Sequence, residues 1–181
     1  MVKIFIKNMV CNRCKVIVKS EFKKLGLTPV CVEIGEITIR EDCIYSVREQ
    51  LIINLNSLGL AIIDDRKSQT IEKIKIIILN LVHHSEVVLK INLSNHISDQ
   101  LNQNYHYLSN LFTEANEMTI EHYFIAQKIE RAKELLIYNE HSLSEIAYQL
   151  NYSSVAHLSK QFKKVTGLTA TSFKKIKRSK A

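Results

Sequence analysis

The sequence predicts an α+β protein in two parts, a small βαββαβ unit followed by an all-α unit. Three observations carry this prediction. Gly26, Gly35 and Gly59, three of the four glycines, and the only proline, Pro29, all precede Leu60, so turns crowd the beginning and helices can run freely afterwards. Apolar residues recur at strand spacing in the first part and at helical spacing in the remainder. Between the two lies Asp64-Asp65-Arg66-Lys67-Ser68-Gln69, a polar stretch with the character of a boundary. A chain of 181 residues can bury two modest cores, expected over residues 1–66 and 70–181.

In the first part, Ile4 and Ile6 alternate with Lys3, Phe5 and Lys7, Val30, Val32 and Ile34 with Cys31 and Glu33, and Ile37 and Ile39 with Thr38 and Arg40. Such alternation marks half-buried strands. Gly35, between the second and third, predicts a tight hairpin turn. Cys14, Val18, Phe22 and Leu25 recur at helical spacing and stop at Gly26; Val47, Leu51, Leu55 and Leu58 repeat the pattern and stop at Gly59. Leu60 to Ile63 make a last strand. This order predicts the ferredoxin-like arrangement, with Phe5 and Cys31 on the sheet face away from the two helices and Cys43 near the end of the third strand.

From Ile71 onward every segment reads as helix. Ser142-Leu143-Ser144-Glu145 is a capping box, in which serine hydroxyl and glutamate carboxylate satisfy each other's backbone donors ahead of Ile146, Ala147 and Leu150. A long helix over Ile120 to Tyr138 precedes it, burying Phe124, Ile125, Ile129, Ala132, Leu135 and Leu136.

Composition narrows the function classes. With 46% hydrophobic and 24% charged residues the chain is neither disordered nor fibrous. The apolar run Ile76 to Val82 is interrupted by Asn80 and far short of a membrane span, and MVKIFIKN lacks the apolar core of a secretion signal. A cytoplasmic protein with no membrane partner is expected. Cys11, Cys14, Cys31 and Cys43 would stay reduced there, so a close pair reads as ligand or redox chemistry. The net charge is +7, and Lys160, Lys163, Lys164, Lys174, Lys175, Lys177, Arg178 and Lys180 follow Ile146 with no acidic residue among them. Such a surface suits a polyanion. No phosphate-binding glycine loop and no nucleophile with its base appears, so no enzyme is expected.

Two segments, Ile97 to Met118 and Ile146 to Leu168, look like variations of one unit: short helix, polar turn, longer helix. The turns are Asn102-Gln103-Asn104 and Asn151-Tyr152-Ser153-Ser154, and Leu108-Ser109-Asn110-Leu111-Phe112 matches Leu158-Ser159-Lys160-Gln161-Phe162. Leu and Phe four apart share one buried stripe and leave an opposite face outward, as a recognition helix requires. Over Ile71 to Lys177, and most strongly in KIERAKELLIYNEHSLSEIAYQLNYSSVAHLSKQFKKVTGLT (Lys128 to Thr169), the chain resembles the AraC/XylS transcription regulators. The resemblance implies two helix-turn-helix units joined by the linker helix Ile120 to Tyr138, entering successive major grooves of double-stranded DNA over an asymmetric site of about 20 bp. It implies outward residues His106, Ser109 and Asn110 on the first recognition helix and Ala156, His157, Ser159 and Lys160 on the second. Asn110 would read adenine and Lys160 guanine or a phosphate. Asn104, Ser153 and Ser154 would meet phosphates at helix starts, with Lys163 and Lys164 completing the surface. Asn102 and Asn151 stand where the family usually has glycine, a replacement that left-handed asparagine tolerates; Ala170 stands where proline is common. RNA polymerase and a second copy of the chain are further partners the resemblance brings with it.

Met9-Val10-Cys11-Asn12-Arg13-Cys14 sits where the first strand hands over to the first helix. With the βαββαβ order, Met1 to Asp65 resembles the heavy-metal-associated domain of copper chaperones. Two thiols three apart at a helix start can face one ion, the helix end lowers their pKa, and soft thiolates favour Cu(I) or Zn(II), Cd(II) or Hg(II). By resemblance Met9 packs beneath the loop and is no ligand. A thioredoxin-like redox pair fits the βαββαβ order poorly. The adjacent His83 and His84 face two directions on a helix and are not expected to share a metal. The combined expectation is a sequence-specific regulator that answers to a soft metal at Cys11 and Cys14. Two alternatives stand beside it, a cytosolic metal-trafficking protein and a regulator whose first domain is a metal-blind dimerisation or docking module.

Overall fold

The computed structural model describes residues 1–83, 92–138 and 141–178, and the chain divides into two compact units, Met1–Ile76 and Ile77–Ala181. The first contains strands β1 (Val2–Lys7), β2 (Pro29–Glu33), β3 (Glu36–Ile39) and β4 (Ala61–Ile63) and helices α1 (Asn12–Lys24) and α2 (Arg48–Ser57). A single 3-10 turn, Tyr45–Val47, leads into α2. Helix α3 (Arg66–His83) starts in this unit and ends in the next, so the division falls inside a helix and not at the polar stretch before it. His84, the other half of the adjacent histidine pair, lies outside the described residues.

Alternating isoleucines build the first core. The sheet order is β2-β3-β1-β4 with every neighbouring pair antiparallel, and Ile4, Ile6, Ile37 and Ile39 join Val18 and Phe22 of α1 and Leu51 and Leu55 of α2 in one buried cluster. Met9 belongs to the same cluster and is fully buried. On β1 the alternate residue Phe5 is only partly covered and has the Lys73 ammonium 5.0 Å from its ring centre. The first turns of α3 therefore lie along β1, where the buried Glu72 accepts a hydrogen bond from the Asn8 backbone N–H at 3.1 Å.

Two expectations need correction. Val30 is exposed, because β2 carries a register shift: Pro29 faces Ile39 while Cys31 faces Thr38, leaving Val30 as the extra residue of a bulge. Leu58 is also exposed, since α2 ends at Ser57 and Leu58 caps it through its own N–H to the Leu55 carbonyl. The hairpin between β2 and β3 turns at Gly35, whose φ is +79°, and a Cβ there would lie 2.2 Å from Ile76 Cδ1.

The second unit is helical: α4 (Leu93–Leu101), α5 (Tyr105–Asn116), α6 (Ile120–Tyr138), α7 (Leu143–Gln149), α8 (Val155–Thr166) and α9 (Ala170–Arg178). One cluster joins Ile129, Ala132 and Leu136 of α6 to Ile146 and Ala147 of α7, Leu158 and Phe162 of α8 and Ala170 of α9; Val82, from the end of α3, also belongs to it. The capping box is present, with Glu145 N–H to Ser142 Oγ at 3.2 Å and Ser142 N–H to Glu145 Oε2 at 2.6 Å. Among the described residues no helix is long and apolar enough to cross a membrane.

Gly35 and Gly26 separate backbone strain from crowding. Both have left-handed φ, but a Cβ on Gly26 would meet nothing within 4 Å. Gly26→Ala is expected to cost about 1 kcal/mol from backbone strain alone. Gly35→Ala should cost more than that, because Ile76 must also move; comparing their denaturant midpoints checks the order.

Candidate nucleic-acid interface

Each short helix in the second unit ends on a left-handed asparagine: Asn102 has φ 49° and Asn151 φ 53°. The residue after it bonds back into the helix, Gln103 N–H to the Ser98 carbonyl at 3.2 Å and Tyr152 N–H to the Ala147 carbonyl at 2.9 Å. The longer helix then starts on a side-chain cap. Asn104 Oδ1 accepts from His106 N–H at 2.8 Å, and Ser154 Oγ from His157 N–H at 3.1 Å. Leu108 and Phe112 anchor α5, Leu158 and Phe162 anchor α8, and all four are fully buried.

The repetition runs further than the sequence showed. Both long helices close on a left-handed residue, Glu117 at φ 54° and Gly167 at φ 74°, and both are followed by a threonine cap, Thr119 to His122 N–H and Thr169 to Ser172 N–H. Phe112 meets Tyr123 edge-on with ring centres 5.5 Å apart, and Phe162 meets Phe173 in the same way at 5.6 Å. The opening of α6 thus does for the first unit what α9 does for the second.

With the anchors buried, His106 and Asn110 on α5 and Ala156, His157, Lys160, Lys163 and Lys164 on α8 are exposed on the helices that carry them. Ser109 and Ser159 are only half exposed, each being next in sequence to a buried leucine anchor. Asn104, Ser153 and Ser154 are exposed, but Asn104 and Ser154 use their side chains as caps, and the Ser153 hydroxyl lies 3.0 Å from His157 Nδ1. An anion at these helix starts would therefore meet the remaining backbone donors of the first turn, since the Asn104 and Ser154 side chains are already used. Asn110 Nδ2 and His106 Nε2 are 3.3 Å apart and bind each other. Charge is uneven: α8 carries Lys160, Lys163 and Lys164 and no acid, whereas α5 carries Glu114 and no Lys or Arg.

Residues 97–176 match the family described as a helix-turn-helix domain. Three solved structures share its fold: the C-terminal domain of AraT, a response regulator from Geobacillus stearothermophilus (22% identity, TM-score 0.53, 62% of this chain and 88% of that one); a DNA-binding transcriptional dual regulator from Escherichia coli K-12 (18%, 0.50, 61% and 93%); and the DNA-binding domain of AdpA, a global transcriptional factor, in complex with a target DNA (15%, 0.51, 61% and 95%). No curated protein matches the sequence.

Sequence reasoning missed a cluster inside the matched segment. The Lys128 ammonium, on α6, lies 4.1 Å from the centre of the Tyr152 ring and 5.2 Å from that of Phe124, and donates to the Asn151 carbonyl at 3.5 Å. Burial holds its pKa down to about 8. The only signal for it was a lysine placed among the apolar residues of the linker helix.

The thiols belong to the sheet unit. Cys11 is the N-cap of α1, its sulfur accepting from Cys14 N–H at 3.4 Å and lying 3.0 Å from Cys14 Sγ. Hydrogen bonding from the Cys14 side chain, helped by backbone N–H groups and Arg13, lowers the Cys11 pKa; burial, then the bond to Cys11, raises that of Cys14. The two sulfurs are thus of unequal acidity, Cys11 being the more readily ionised, and a close sulfur pair suits a soft ion. Among the described residues no cluster of three or more His, Cys, Asp or Glu forms around them, so a four-ligand zinc site would need donors from elsewhere. Cys31 and Cys43 are exposed and free.

Two measurements follow from these groups. Lys128 holds its proton less tightly folded than unfolded, so the unfolded chain binds more protons between about pH 8 and 10.5 and stability gains from this residue as pH rises through that window. Lys128→Met should flatten the rise in melting temperature across it. Exposed Cys11 should be alkylated by iodoacetamide ahead of Cys14, and Cys14→Ser should slow it, which peptide mapping by mass spectrometry reads directly.

Proposed function

We propose that the chain is a DNA-binding transcription regulator of the AraC type, with its two recognition helices entering and reading neighbouring major grooves. The observation that carries this is the doubled unit: two helices with equally buried anchors, equal capping and exposed polar faces. The match of residues 97–176 to a helix-turn-helix family and the likeness in fold to a domain bound to target DNA support it. His106 and Asn110 on α5 and His157 and Lys160 on α8 are the base-reading candidates. Lys163 and Lys164 would meet phosphates, positioning the protein without reading sequence.

The finer reading gives the first unit a sensor's role. Its β-α-β-β-α-β order with strand order 2-3-1-4 fits a ferredoxin-like, heavy-metal-associated domain, and the close sulfur pair at the start of α1 fits Cu(I) or another thiophilic ion. In this reading Cys11 and Cys14 hold the ion while buried Met9 supports the loop from below. A metal alters DNA binding only by preferring one state of the protein over another.

Fluorescence anisotropy of the reduced protein on duplexes from upstream of its own gene tests both readings. Saturable binding that weakens steeply with salt is expected, shifting several-fold with buffered Cu(I) and losing that shift in Cys11→Ser. Absence of saturable binding would remove the regulator reading; binding indifferent to Cu(I), Zn(II), Cd(II) and Hg(II) would remove the sensor reading alone.

A further inference from the structure

Besides their charge, the first helix pair or unit (α4 and α5) and the second (α7 and α8) differ in the turn between their helices. Counting from the left-handed asparagine to the buried leucine, the second turn is one residue longer, Asn151 to Leu158 against Asn102 to Leu108. The position after the asparagine is Gln103 in the first unit and Tyr152 in the second. Tyr152 is tied in four directions. Its N–H bonds α7 through the Ala147 carbonyl, and its ring stands under the Lys128 ammonium of α6. Its hydroxyl donates to Gln161 Oε1 of α8 at 2.5 Å, and its ring meets that of His157 edge-on at 5.2 Å. The extra residue, Ser153, places its hydroxyl on His157 Nδ1. That contact leaves Nε2 as the ring nitrogen able to meet a groove edge.

We propose that Lys128 and Tyr152 are positioning residues that set α8, and His157 upon it, in reading geometry before DNA arrives, making the second unit the one that determines sequence specificity. The inference rests on the DNA-binding reading above. A helix fixed in advance cannot shift to accommodate a mismatched base pair, so a wrong base leaves its contacts unmade and discrimination is kept. The Lys128 cation acts at two points at once, on the Asn151 carbonyl that shapes the turn and on the ring that reaches α8. The first unit has a glutamine at the corresponding turn position, and its outward His106 and Asn110 pair with each other.

The test uses the full chain and a pool of random-sequence duplexes. Wild type should select a site with two conserved elements about one helical turn apart, and Lys160→Ala should identify the element read by α8. Lys128→Met and Tyr152→Phe are then expected to reduce discrimination at that element by roughly tenfold while leaving the other element and the salt dependence unchanged. Lys128→Arg, which keeps the cation, should restore it. Unchanged discrimination in both Lys128→Met and Tyr152→Phe would overturn the proposal, as would an equal loss in Lys128→Arg, which would trace the effect to packing. Failure of wild type to select any site would instead remove the DNA-binding reading, a different outcome from a wild type that selects and variants that match it.

Discussion

Complete burial of one leucine and one phenylalanine on each of α5 and α8 is the constraint from which the helical unit follows. Leu108 with Phe112, and Leu158 with Phe162, sit on one stripe because four residues make just over one turn. Removing that stripe from water fixes how each helix is rotated about its axis. The exposed histidines, Asn110 and Lys160 owe their outward direction first to these anchors, which occupy the opposite face of each helix. Truncating such an anchor to alanine typically costs 2–5 kcal/mol, a large share of the stability of any small domain.

Around this shared frame the units diverge in charge and rigidity. Tyr105 of α5 donates to Glu121 of α6, so the first unit spends its tyrosine on a carboxylate near the start of the linker helix. The second spends Tyr152 on α8 and the turn before it. With lysines on α8 and a glutamate on α5, the two faces would meet the same polyanion with different strengths.

Much of this was legible in the sequence because it obeys local rules. Periodicity marked the strands and helices, the Ser142–Glu145 box marked the start of α7, and asparagine at positions 102 and 151 announced left-handed turns. What was not legible depended on pairing between distant residues. The bulge at Val30 arises from the register of β2 against β3, which alternation within one strand does not specify. Leu58 continued a helical spacing that the backbone abandoned one residue earlier. Lys128 and Tyr152 are 24 positions apart and look unrelated until α6 and the second turn are packed together. Ser154 and Asn104 were legible as helix starts, whereas their employment as caps appeared only with the hydrogen bonds.

Helix α3 has a bearing on how the protein can be taken apart. The polar residues before it look like a place to cut, yet Ile71, Glu72 and Ile74 beyond it are buried, and the Glu72 carboxylate holds the backbone N–H of Asn8 next to the thiol loop. A fragment stopped at residue 66 would leave that donor unpaired and uncover the face of β1 that Lys73 shields. An excised first module worth purifying therefore extends at least to Ile76, where the compact unit itself ends.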